Sequence, residues 1–255
     1  MTGKLDEGIQ KLFKPRRSPQ QYILIAVSDA DPDIRREAAT KVAESKKFNE
    51  EWAIKGFTAI ATLENDPQTR CIAVRGLAHS RESRVVETFL KILNSQDFPP
   101  QEVRPPDDLT RWDVTVALAD FAGEGLLDER HEQTRTTLMD RLKNDTSRHV
   151  RTSAARGLQF FPQPAVVEAL IDGLRDADFT VVHQCEMSLA YLTGVTHDCD
   201  PYLWRTWCEE HQSDLFARGG ELPEPLRPPY NSRWGKFNHD AKQSIQWLFP
   251  GKKGE

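Results

Sequence analysis

Long apolar runs are missing from these 255 residues. None approaches the roughly 18–20 residues that a helix needs to cross a bilayer, so no membrane segment is expected. The opening residues, MTGKLDEGIQKLFKPRRSP, lack the apolar centre of a signal peptide. That favours a cytoplasmic protein, or an exported one if a preceding signal is missing. Cysteine is scarce, and Cys71, Cys185, Cys199 and Cys208 form no C-x-x-C pair, which argues against a zinc ribbon or redox motif. A basic excess is lacking too. The net charge is -5 and the pI is near 5.9, whereas nucleic-acid binders are usually basic. The phosphate-loop, zinc-protease and nucleophile-elbow signatures are absent. No cofactor and no catalytic residues are therefore assigned, and the chain is read as a non-enzyme.

What the chain does have is repetition. Residues Asn144 to Leu192 contain one complete helix pair and the start of another. Asp145 opens a turn, Ser147 can cap a helix, and Val150, Ala154, Ala155 and Leu158 form an apolar stripe. Pro162 and Pro164 break that helix. Val166, Val167, Leu170, Ile171 and Leu174 make the stripe of a second one. At Asp176 the pattern restarts, with Val181, Cys185 and Leu189 in the places of Val150, Ala154 and Leu158. Helix pairs recurring in this way make a solenoid.

Earlier units keep the same frame. Asp31-Pro32 and Asp66-Pro67 each start a helix, with Asp capping free N–H groups and Pro fitting the first turn. Their separation gives a period of about 35 residues, typical of helix pairs. Arg70-x-x-Ala73-x-Arg75-Gly76-Leu77 matches Arg151-x-x-Ala154-x-Arg156-Gly157-Leu158. Partner helices are expected near 50–63, 82–94 and 128–143. The stretch 95–109 carries four prolines and is expected to be an extended loop. A short helix over 5–14, with Leu5, Ile9, Leu12 and Phe13 on one face, is expected to cap the N-terminal end of the array. The divisions are a capping helix and linker over 1–19, repeats over 20–193, a tryptophan-containing cap over 194–216, and a proline-rich tail over 217–255. From Asn238 that tail holds a short amphipathic helix, which must dock on something to be stable.

The D-x-x-x-x-R-x-x-A-x-x-x-L frame over 20–193 resembles HEAT repeats, close to the bacterial HEAT-like type. The resemblance implies an all-α fold: a right-handed solenoid of about five helix pairs with capping helices at both ends. It also implies an Asp–Arg ladder between neighbouring repeats. By that resemblance Asp31, Asp66, Asp108 and Asp145 lie near Arg35, Arg70, Arg111 and Arg151. The ladder would end where Val182 replaces the arginine. The stretch from Thr193 to Trp207, T-G-x-x-x-D-x-D-P-x-x-W-x-x-W, resembles a C-terminal element of planctomycete-like HEAT-repeat proteins. Two indoles one helical turn apart, Trp204 and Trp207, are expected to cover the apolar end of the array.

Candidate chemistry is sparse. His183, His197, Cys199, Cys208 and His211 offer zinc-type ligands, but their spacing is not a standard one and no metal is assigned. In an exported protein, Cys199 and Cys208 could instead form a disulfide. His131-Glu132 resembles the His-Glu pairs of HEAT-like iron hydroxylases, which need several facing pairs where this chain has one. HEAT-like lyases and glycosylases keep an enzymatic or ligand-binding alternative open. The leading expectation is a scaffold or adaptor that binds an unidentified protein or peptide on the concave face of the second helices. Lys55, Arg84, Lys91, Arg135, Arg141 and Arg175 are its candidate contacts. The same cations give nucleic-acid binding as an alternative, which the acidic net charge disfavours.

Overall fold

A computed structural model of the chain describes residues 17–94 and 107–227. The expected helix over 5–14, most of the 95–109 loop and the tail helix from Asn238 lie outside the described residues. Within them the structure is all-α, without a strand. The helices are α1 (Pro19–Ser28), α2 (Pro32–Ala43), α3 (Glu51–Leu63), α4 (Pro67–His79), α5 (Val86–Leu93), α6 (Asp108–Gly123), α7 (His131–Asn144), α8 (Arg148–Leu158), α9 (Pro164–Gly173), α10 (Phe179–Thr193) and α11 (Pro201–Glu210). Short 3-10 turns precede α5 and α7.

The helix starts follow from local chemistry. Ser18 and Gln21 form a reciprocal capping box on α1. The Asp31, Asp66, Asp178 and Asp200 carboxylates accept first-turn amides of α2, α4, α10 and α11. Asp107 caps α6, accepting the Thr110 amide at 2.8 Å. One capping expectation needs correction. Ser147 occupies the N-cap position of α8, but its side chain bonds no helix amide.

The helices pack in two rows. α2, α4, α6, α8 and α10 stack one on the next, and α1, α3, α5, α7, α9 and α11 form a second row beside them. The core lies between the rows and is filled by large side chains such as Phe57, Phe89, Phe121, Leu138, Phe161, Leu170 and Trp204. Neighbouring units approach closely because glycine stands at the crossing. A Cβ on Gly76 would sit 2.9 Å from the Phe57 ring, and one on Gly157 would sit 2.8 Å from Leu138. α11, in the stretch read as a separate cap, packs on α9 in the row of second helices.

Candidate functional site

The arginine ladder joins one unit to the next. Arg35 grips Glu64 with two bonds of 2.6 and 2.8 Å. Arg111 grips Asp145 at 2.9 and 3.1 Å, and Arg151 grips Asp176 at 2.6 and 2.9 Å. Such fork-to-fork pairs fix geometry as well as charge. Arg35 and Arg151 also donate to carbonyls of their own entry turns, at Asp29 and Asp145. The acceptor carboxylates also hold their own turns, since Glu64, Asp145 and Asp176 each take the N–H of the residue two places on.

This separates two acidic registers that the sequence frame had merged. Asp29, Glu64, Asp145 and Asp176 are turn acids, whereas Asp31 and Asp66 are helix caps. Asp66 is bound by Arg36 at 3.0 Å. Asp108 belongs to neither register and lies exposed in the first turn of α6. Arg70 is buried in the array, and Val182 stands where a further ladder arginine would be. Burial alone would raise the Glu64 and Asp176 carboxyls. The guanidinium bonds from Arg35 and Arg151, with the backbone donors, outweigh it and hold both below their usual range.

The expected cationic face is largely neutralised by its neighbours. Lys55 pairs with Glu51 at 3.2 Å. Arg84 binds Glu51 and Glu82, Arg135 binds Glu132, and Arg141 binds Asp140. The Arg175 guanidinium lies over the Tyr202 ring, 5.6 Å from its centroid, and Lys91 is half-buried. What this face does carry is relief. A cleft of about 620 Å³ opens between α7 and α9, lined by Met139, Leu142, Ala165, Ala169 and Asp172. A second cleft of about 490 Å³ lies between α9 and α11, beside Val167, Cys208 and Leu215. Exposed Glu168 stands on the ridge and lines both.

The His/Cys candidates do not converge. Among the described residues, no group of three or more His, Cys, Asp or Glu side chains is arranged to hold a metal ion. His183 is exposed. His197 meets the Trp204 ring edge-on at 4.8 Å, and His211 stacks on Trp207 at 4.6 Å. Cys185 is fully buried in the core, and Cys199 and Cys208 are free thiols. Burial pushes the Cys71 thiol up to about 12 and the Cys208 thiol up to about 11, and it raises Cys185 as well. These thiols are protonated and unreactive at neutral pH.

The residue that organises this end is Glu186, which sequence reasoning missed. Its buried carboxylate accepts the Trp204 indole N–H at 2.7 Å, the Thr196 hydroxyl at 2.6 Å, and the His197 and Cys199 amides at 3.0 and 3.1 Å. A signal was readable. In the helix frame Glu186 takes the place of Ala39, Val74, Thr115 and Ala155, all fully buried or small. A carboxylate there demands donors.

A protein-family model described as HEAT repeats matches residues 101–190, from before α6 to near the end of α10. Over that stretch the chain is similar to HEAT repeats. No curated protein matches the chain.

Proposed function

We propose that the protein is a non-enzymatic adaptor that grips a protein or peptide along the face of its second helices. The observation that carries this reading is the pair of open clefts flanking Glu168, lined by Ala165, Ala169 and other modest side chains. Two features support it. Repeat arrays of this kind present extended binding surfaces. Asp31, Asp66, Asp178 and Asp200 serve as helix caps and Arg35, Arg111 and Arg151 as inter-unit pairs, and burial keeps three of the four thiols from acting as nucleophiles. The paired state of Arg84, Arg135 and Arg141 favours a protein over a nucleic acid as partner. In this reading the stack is a right-handed solenoid of about five pairs, cytoplasmic. The Thr193-to-Trp207 pattern supports a bacterial origin.

The test is affinity capture with the full chain beside an Ala169→Arg variant, which fills the α7–α9 cleft without entering the core. A protein recovered stoichiometrically by the wild type and lost with Ala169→Arg is the expected result. Equal recovery by both chains, or a turnover activity abolished by a single substitution in this face, would overturn the reading.

A further inference from the structure

The two clefts beside α9 are unequal in charge. Glu168, Asp172, Asp140 and Asp176 line the first, and Glu168 and Glu209 line the second. The cations there are Lys143 and Arg175 in the first and Arg205 in the second. Each of these three already has a neighbour. Arg205 holds Asp172 at 2.8 Å, and the Arg175 guanidinium lies over the Tyr202 ring. Lys143 stands beside Asp140. Burial would raise that carboxyl, but Asn144, Arg141 and Lys143 together hold it below its usual range. Arg151 takes Asp176. Glu168 and Glu209 remain, both exposed, and among the described residues neither has an ion-pair partner.

A second source of negative potential lies at the same place. α7 ends at Asn144 and α9 ends at Gly173, and both residues line the first cleft. The carbonyl ends of two helices therefore meet there, and a helix C-terminus favours cations. The walls suit a long side chain as well. Met139, Leu142, Ala165 and Ala169 offer apolar surface to its stem, and the alanines leave the cleft open. Lysine and arginine bury their stems in this way while their charged heads stay near water.

We propose that the two clefts take a cationic, extended segment of the partner laid across α9, with one Lys or Arg side chain in each cleft. One head meets Glu168 and the other meets Glu209. This rests on the adaptor reading above and adds the chemistry of the occupant. An acidic or phosphorylated segment would meet the same two carboxylates with no cation left over to offset it. Spacing sharpens the inference. Packed helices lie about 8–10 Å apart, so the clefts on the two sides of α9 are separated by about that distance. A polyproline-II segment carries residues three apart on one side at about 9 Å. Lys or Arg three residues apart therefore reaches both clefts at once.

The test pans a random twelve-residue peptide library, displayed on phage, on the full chain. The strongest binder is then synthesised and titrated against wild type, Glu168→Gln and Ala169→Arg. Neither substituted side chain is buried, and an unchanged melting temperature verifies the fold of both variants. The expected result is enrichment of peptides with Lys or Arg three residues apart, whose affinity falls about tenfold in Glu168→Gln and is lost in Ala169→Arg. Peptides lost with Ala169→Arg that carry no cationic pair, or that bind Glu168→Gln as well as wild type, would overturn the cationic occupant while the adaptor reading stands. Cationic peptides indifferent to both substitutions would overturn both readings of this face. Enrichment of acidic peptides, or of none, would overturn the inference alone.

Discussion

At its C-terminal end, the stack turns a carboxylate toward the place where another first helix would pack. Glu186 gathers the 196–199 loop and the Trp204 indole, while Ser188 on the same helix bonds back to α8. At the other end, α2 presents Ile34 in a position that every later unit buries. The two ends face the same physical problem, since helix pairs expose apolar surface wherever the stack stops. One end is closed by polar bonds that only a loop and an indole can satisfy. The other, among the described residues, leaves Ile34 partly exposed. A buried carboxylate must be met by donors, whereas a partly exposed isoleucine needs none.

The strongest way to break this contrast is to empty the closed end. Trp204 is fully buried, so Trp204→Ala is expected to cost about 3–5 kcal/mol in urea denaturation. A loss below about 1 kcal/mol would show that α11 is not part of the cooperative fold. Glu186→Gln tests the polar closure itself. It keeps the shape but turns an amide group toward N–H and O–H donors, and a cost of about 2–3 kcal/mol is expected. Exchange should quicken first over 194–200. An unperturbed variant would mean that indole packing alone closes the stack.

A smaller effect sharpens the comparison between the ends and the interior, where the ladder runs. Glu64, Asp66 and Asp176 are held below their ordinary values of 4.5, 3.8 and 3.8. Groups depressed in the folded state contribute stability that is present above those ordinary values and lost as the pH falls through the folded ones. The melting temperature should therefore decline with acid below about pH 4.5. In Arg151→Lys, which loses the two-pronged grip on Asp176, that decline should be shallower. Identical acid profiles for the two chains would remove the ladder as its source.

Much of the fold was legible because helix pairs are written locally. Asp31-Pro32, Asp66-Pro67 and Asp200-Pro201 mark starts by satisfying amides within one turn, and the stripes at Val150, Ala154 and Leu158 mark buried faces. The ladder was legible only in part. Turn acids and caps lie two residues apart and are both acidic, so spacing assigned Asp66 and Asp145 to one role and preferred Asp108 to Asp107. The candidate groove was least legible. Arg84, Arg135 and Arg141 read as a basic face, yet acids on the same or neighbouring helices consume their charge.

By itself, then, the sequence determined where helices begin, which face each one buries, and that Val182 interrupts the arginine series. Those properties depend on residues within a turn or two of each other. Only the tertiary structure decided that Arg35 reaches Glu64 and that Glu186 collects the terminal loop. Each of these is a contact between segments at least ten residues apart. Packing chooses such partners by distance in space, which local periodicity does not encode.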